Sequence, residues 1–257
     1  MVAIYDLNAT GTPKIGQITQ GLSEPAGLAI DAQGALYAAN YQQGKAGGGV
    51  VIYPAGAQSP SLTLTEGLSV PIDVAVDTNG DVYVANRGTA PSIVVYPAGQ
   101  TTPSKTITSS LILEPTQLTF DSNRNLYFSD GEAGVSVLPH GSQQPVSLSL
   151  LGLSTPSGLA LDPTIGNIFV SDLDHHQVFV YAAGTMNAMR TLRPNLQACS
   201  LSNGKIKNAE YIFVPECSGS NEVWLFKHRS KNAEETLNLN ADNGGVTWLA
   251  IKPPGVP

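Results

Sequence analysis

The chain is short of charge. Only 13% of its 257 residues are Asp, Glu, Lys or Arg, about half the usual share of a soluble domain. Its surface must therefore be covered by Ser, Thr, Asn, Gln and Gly, a habit that suits short strands and tight turns and is commoner in exported proteins than in cytosolic ones. Clustered Lys and Arg are missing, and the net charge is −7. A phosphate backbone needs concentrated positive charge, so nucleic acid is not expected as a partner, nor is an anionic membrane surface. No run of 18 apolar residues occurs, so no membrane insertion is expected. The start, Val2-Ala3-Ile4-Tyr5, reads as a strand rather than as a leader, which an exported chain would have lost. Cysteine is scarce: Cys199 and Cys217 suffice for one bridge but not for a disulfide framework. There is no Gly-x-Ser-x-Gly elbow, no phosphate-binding Walker loop and no zinc-finger spacing. No segment carries a helical apolar period.

What is present is a repeat. Pro25-Ala-Gly-Leu-Ala-Ile-Asp31 returns as Pro71-Ile-Asp-Val-Ala-Val-Asp77, Pro115-Thr-Gln-Leu-Thr-Phe-Asp121 and Pro156-Ser-Gly-Leu-Ala-Leu-Asp162. The prolines stand 46, 44 and 41 residues apart, the period of four-stranded propeller blades. A length of 257 residues then makes about six units. Each unit divides alike. Leu28-Ala29-Ile30 is strand a, and Asp31 to Gly34 is a turn in which Asp bonds its own backbone and Gly takes a positive φ. Leu36 to Asn40 is strand b, Val50 to Tyr53 strand c, and Ser61 to Thr65 strand d. Strand b is continuously apolar, as expected where neighbouring blades cover both faces. A fifth unit is degenerate: its strand a, near Cys199 to Ser202, lacks the Pro and the Asp, and a long a–b turn is expected from Asn203 to Glu210. Trp248 to Lys252 matches strand a of a last blade, Val2 to Asp6 its strand c and Lys14 to Ile18 its strand d. No segment matches its strand b, so more residues are expected ahead of Val2 in the natural protein.

The expectation is thus one all-β domain over 1–257. It is a six-bladed β-propeller with blades near 25–66, 71–108, 115–150, 156–192 and 196–239. The last blade, 246–257 plus 1–20, is shared by the termini and short of one strand. Shared termini would tie the ring shut and hide sheet edges.

The pattern Pro-x-Gly-Leu-Ala-x-Asp-x-x-Gly-x-Leu-Tyr-x-Ala-Asn resembles that of NHL-repeat propellers, especially bacterial chains with Tyr-Pro-Ala-Gly turns, here Tyr53 to Gly56 and Tyr96 to Gly99. The resemblance implies the fold and leaves the function open, since similar propellers act as sensors, ligand-binding ectodomains, scaffolds and enzymes. Distant similarity to gluconolactonase-type propellers implies a divalent metal in the channel. Glu24, Asp73, Glu114 and Gln117 are the channel candidates here, against Gly27, Gly158 and Trp248 at equivalent places. Similarity to streptogramin-lyase propellers would imply a His where strand a begins, and this chain has none there.

The b–c and d–a loops share the face at the channel mouth. That face is expected to carry Asn40, Tyr41, Asn86, Arg87, Asp130, Glu132, Asp172, Asp174, His175, His176 and Glu216, with Glu24, Asp73, Glu114, Gln117 and Trp248 at the mouth. The Asn or Asp ending every strand b reads as a turn cap, because a residue repeated by all blades serves the blade. Asp73 reads either as a ligand or general base, or as a carboxyl hydrogen-bonded within a polar channel. Trp248 either stacks a ligand ring or packs between blades. Asp174, His175 and His176 would suit a transition metal, although adjacent histidines on a loop are mostly solvated. His140 and His228, at matching c–d turns, are expected at the surface. Cys199 and Cys217 lie side by side if the hairpin pairs, so they form either a disulfide, favouring an oxidising compartment, or two buried thiols.

The best functional reading is a non-catalytic binding or scaffold propeller that recognises a protein, peptide or glycan through its loop face and channel mouth. It would be secreted, periplasmic or cell-surface, and monomeric, with self-association through the open blade edge as a further arrangement. No cofactor is expected, and Ca²⁺ enters only with the alternative, a metal-dependent lactonase-like hydrolase or lyase. The remaining alternative is a purely structural or assembly module.

Overall fold

A computed structural model describes residues 1–41, 48–192, 197–206, 209–239 and 248–251. Two strands, β1 (Val2–Tyr5) and β2 (Lys14–Ile18), pair as an antiparallel hairpin. Five four-stranded antiparallel sheets follow, each in chain order. The first holds β3 (Pro25–Ile30), β4 (Leu36–Asn40), β5 (Gly49–Tyr53) and β6 (Leu62–Leu64). The second holds β7 (Pro71–Val76), β8 (Val82–Asn86), β9 (Ser92–Tyr96) and β10 (Lys105–Ile107). The third holds β11 (Pro115–Phe120), β12 (Leu126–Asp130), β13 (Gly134–Leu138) and β14 (Val146–Ser147). The fourth holds β15 (Pro156–Leu161), β16 (Ile168–Asp172), β17 (Gln177–Tyr181) and β18 (Ala188–Leu192). The fifth holds β19 (Ser202–Ile206), β20 (Ala209–Pro215), β21 (Glu222–Phe226) and β22 (Glu235–Asn238). The first strands β3, β7, β11, β15 and β19 lie against one another in succession. They form the inner wall of a propeller, and blades 1 to 5 radiate from them.

The repeat motif explains the geometry. Asp31 Oδ1 accepts from Gln33 N at 2.9 Å and Ala35 N at 2.9 Å, which folds the a–b turn, while Gly34 takes φ +87°. Asp77 and Asp121 do the same in the next two blades, and Asp162 holds the N–H groups of Thr164 and Ile165 in the fourth. Strands b and c are buried along nearly their whole length and meet their neighbours in apolar layers, such as Ala39, Val50, Val74, Val84 and Val94 between blades 1 and 2. Tyr53, Tyr96 and Tyr181, ending strand c in three blades, are fully buried. Their hydroxyls donate to the carbonyls of Gln20, Glu66 and Leu151 and so tie each strand c to the loop before its own strand a.

Three features differ from the sequence expectation. The four-stranded blades number five rather than six among the described residues. The β1–β2 hairpin and residues 248–251 lie between blade 5 and blade 1. Val2 and Ile18 pack on Val51 and Tyr53 of blade 1, whereas Tyr5 and Leu7 pack with Leu249 and Ile251 on the Phe213 cluster of blade 5. Ser202 Oγ donates to the Leu249 carbonyl, so 248–251 runs where a further strand a belongs, yet it is not assigned as a strand. The expected parts at 246–247 and 252–257, and residue 196, lie outside the described residues. In blade 5 most of the expected long a–b turn is hairpin instead: β19 and β20 pair from Ser202↔Phe213 to Ile206↔Ala209, with 207–208 outside the described residues. Backbone pairing there extends the strands, so extra residues lengthen the hairpin rather than the turn. Lastly, His228 is not a surface residue. Its Nδ1 lies 3.1 Å from Asp162 Oδ2 of blade 4 and its Nε2 2.9 Å from Asn203 Oδ1, with the ring against Phe169, because its turn leans onto the neighbouring blade. His140 is exposed.

Candidate functional site

The loop face is built on one device. Strand a pairs with strand b so that Pro25 opposes Asn40, Pro71 opposes Asn86, Pro115 opposes Asp130 and Pro156 opposes Asp172. The side-chain oxygen ending strand b then accepts two N–H groups of the d–a loop. Asn40 takes Ser23 and Glu24, and Asn86 takes Ser69 and Val70. Asp130 takes Leu113 and Glu114, both at 2.8 Å, and Asp172 takes Ser154 and Thr155. The aspartates use their second oxygen on the b–c loop, where Asp130 Oδ1 holds the N–H groups of Glu132 and Ala133 and Asp172 Oδ1 that of His175. One buried side chain thus fixes both loops that form the face.

Blade 5 fills the same place differently. Ala198 bridges to Glu216, and Cys217 N donates to Gln197 O as Arg87 N does to Val70 O in blade 2. Cys199 and Cys217, one position inward and one outward, are joined by a disulfide with Cα atoms 5.9 Å apart. Burial works to raise the Glu216 carboxyl, but hydrogen bonds from Ser218, Ser220 and the Gln197 N–H outweigh it and hold the group below the usual carboxylate range.

At the axis the blades cooperate through unlike side chains. The slot two residues after each strand-a opening holds Gly27, Asp73, Gln117, Gly158 and Ser200 in turn. Asp73 is 3% exposed, and its Oδ2 accepts Leu118 N of blade 3 at 2.8 Å. Gln117 spans two blades: its Oε1 accepts Leu159 N at 2.8 Å and Leu201 N at 2.9 Å, and its Nε2 donates to Leu201 O at 2.7 Å. The glycines leave the room these side chains need. A Cβ on Gly27 would overlap Asp73, and one on Gly158 would stand 2.6 Å from Ser171 Oγ and 2.7 Å from the Ser200 carbonyl carbon. Around them Thr116 and Ser129 bond the Ser157 carbonyl, and Ser157 Oγ donates to Cys199 O at 2.6 Å. Burial pushes the Asp73 carboxyl up to about 8, against the opposing pull of the Leu118 and Val74 N–H groups.

The remaining predicted residues fall on the loop face. Arg87 pairs with Glu114, tying the b–c loop of blade 2 to the d–a loop of blade 3. Glu24 is exposed, Tyr41 half-buried, and Tyr41 N donates to Glu24 O at 2.8 Å. Asp174 accepts Ser154 Oγ and Thr155 Oγ1, and these bonds hold its carboxyl below the usual range. His175 Nδ1 lies 2.8 Å from Asp172 Oδ1 with its ring on Phe179, and His176 is exposed with φ +52°. Trp248 is half-buried at the start of 248–251. The structure therefore joins Asp73 to Gln117's level of the axis and Arg87 to Glu114. Asp174 is joined to the loop before blade 4 rather than to His175 or His176 through a shared ligand geometry. Among the described residues no three His, Cys, Asp or Glu side chains are grouped to hold a metal ion, and no helix is long and apolar enough to cross a membrane.

Sequence reasoning missed Arg124. It stands in the a–b turn of blade 3 where blades 1 and 2 have Gly34 and Gly80, in the same left-handed conformation at φ +64°. Its guanidinium crosses to Asp77 of blade 2. The signal was in the chain, since Asp121-Ser-Asn-Arg124 breaks the Asp-x-x-Gly pattern.

Radial four-stranded blades around a polar axis define the molecule as a β-propeller. Among solved structures it is similar to a chain in a crystal structure of a nidogen/laminin complex, with a TM-score of 0.74 and 16% identity over 88% of this chain and 84% of that one. At that identity the likeness is one of fold, and with 1138 chains of known structure matching, the fold by itself selects no activity. No protein-family model and no curated protein matches the sequence.

Proposed function

We propose that this chain is a recognition propeller of the NHL type that binds a protein partner on its b–c and d–a loop face and catalyses no reaction. The observation that carries the reading is the use made of the axis. Asp73 and Gln117, the polar side chains that break the repeat there, are committed to backbone groups of neighbouring blades. That leaves the capped loops as the surface for recognition. These loops are acidic: Glu24, Glu132 and Asp174 are exposed, and Arg87 is already paired. A partner with a basic patch complements them, and its association slows as salt rises. The fold neighbour, a chain from a complex of two proteins, supports the choice of a protein over a glycan. The lactonase-like alternative asks Asp73 to ligate Ca²⁺, but its Oδ2 already accepts Leu118 N of blade 3 and no two further carboxylates or histidines join it among the described residues.

The same reading takes the ring over residues 1–257 as six positions, the sixth made of β1, β2 and 248–251, and takes the protein as exported and monomeric. The disulfide and the sparse charge support export. To test the function, a photo-crosslinking residue is placed at Tyr41 or His176 on the loop face and at Gln100 on the opposite turns, in cells that make the protein naturally. One discrete adduct with the first two and none with Gln100 is the expected result. No adduct, or the same adducts from both faces, overturns it.

A further inference from the structure

A second site lies on the other face. Between blades 2 and 3, where the a–b and c–d turns gather, is a cleft of about 290 Å³, at the lower end of small-molecule sites. Its walls include Tyr83 and Phe120, whose rings stand edge to face at 5.1 Å, with Asn79, Asp81, Lys105, Arg124 and His140.

Two observations mark this corner as a departure from the repeat. Arg124 holds a left-handed backbone that the turn elsewhere assigns to glycine, and such strain in a bulky residue persists where the surroundings require it. Arg124 also changes what the turn aspartate of blade 2 bonds. In blade 1 the strand-b tyrosine, Tyr37, donates its hydroxyl to its own turn aspartate, Asp31, at 3.1 Å. In blade 2 the matching aspartate, Asp77, is taken by Arg124. With Asp77 taken, the Tyr83 hydroxyl bonds no described residue. With its oxygen turned to the guanidinium, the Asn79 amide accepts from Arg124 at 2.7 Å. Lys105, exposed on the rim, forms no ion pair among the described residues.

We infer that this cleft binds a single neutral sugar residue. The charges decide between ligand classes: Lys105 and Asp81 both line the cleft, Arg124 is paired with the buried Asp77 behind it, and His140 stands 3.4 Å from Arg124, so no clear excess of either sign favours an anion or a cation. Planar amide, carboxylate and guanidinium groups beside an aromatic wall match the alternating hydroxyls and C–H face of a pyranose. Tyr83 and Lys105 supply uncommitted hydrogen-bonding groups, and Phe120 and Tyr83 supply part of the apolar wall.

The test is saturation-transfer NMR on the intact chain with glucose, galactose, mannose, xylose and N-acetylglucosamine as separate probes, and phenylacetate as an anionic aromatic control. Transfer to the ring protons of at least one sugar is expected. Tyr83→Phe, which keeps the Asp77–Arg124 pair and the ring, should weaken it about tenfold, as loss of one hydrogen bond does; Lys105→Ala should weaken it too. No transfer to any sugar, transfer unchanged in both variants, or preference for phenylacetate overturns the inference.

Discussion

The cap slot at the end of strand b and the axial slot near the start of strand a are each filled once per blade, but in opposite ways. The cap is filled alike: Asn40, Asn86, Asp130 and Asp172 accept the same two loop N–H groups in their own blades. The axis is filled by Gly27, Asp73, Gln117, Gly158 and Ser200, no two neighbours the same. A cap serves only its own blade, so one good solution is copied. The axial slots share one small space, so a large side chain in one blade requires a glycine in another, as Asp73 requires Gly27. Repetition thus marks local work, and its failure marks the place where the blades meet.

The axis should give the largest effect, through pH. The Asp73 carboxyl is raised by burial to about 8 from 3.8. The folded state therefore holds a proton that the unfolded chain releases near pH 4. This contribution is complete below about pH 4 and is lost as pH rises to about 8, up to about 6 kcal/mol in all. Denaturant unfolding of wild type and Asp73→Asn across pH 4 to 9 should give a stability difference that shifts in favour of the variant as pH rises. A difference independent of pH would show that Asp73 ionises in the folded protein as it does in the unfolded chain. Next comes the crosslink of blade 5. Cys199→Ser with Cys217→Ser opens an 18-residue separation and should cost about 3 kcal/mol, with hydrogen exchange rising first in β19 and β20. Uniform loosening of all blades would mean that blade 5 is no weaker than the rest.

The caps should follow at about 2 kcal/mol. Asp130→Ala leaves the N–H groups of Leu113, Glu114, Glu132 and Ala133 without their acceptor. Asp130→Asn keeps one oxygen, as blades 1 and 2 do naturally, and should cost under about 1 kcal/mol. Thermal unfolding of both variants checks the ratio. Equal losses would mean that the negative charge, not the acceptor geometry, holds the loops.

The same contrast sets what the sequence made legible. Blade period, strand order, turn aspartates and cap residues repeat, so they could be read at once. The degenerate unit was legible as an exception, but not as a longer hairpin, because backbone pairing such as Ile206↔Ala209 leaves little trace in side-chain pattern. Asp73 and Gln117 were visible as departures. Their partners were not, since Gln117 bonds Leu201, 84 residues away, and nothing local announces a meeting across the axis. His228 was misread for the same reason: its partner Asp162 belongs to the preceding blade.

Blade 5 offers the finest test, because it holds its loop by two means where the others use one. Glu216 accepts from the Gln197 N–H as the other caps do, while the Cys199–Cys217 bond fixes the residues on either side. With the disulfide intact, removing the acceptor frees little, since the loop cannot move away; Glu216→Ala should cost well under 1 kcal/mol. In the cysteine-free background the same change must carry the loop alone, and its cost should rise toward that of Asp130→Ala. The two changes sit on one loop, so their effects should be non-additive by about 1 kcal/mol in a double-mutant cycle. Additive costs would mean that Glu216 and the disulfide hold different parts of the blade. The cap slot of blade 5 would then have been vacated rather than replaced.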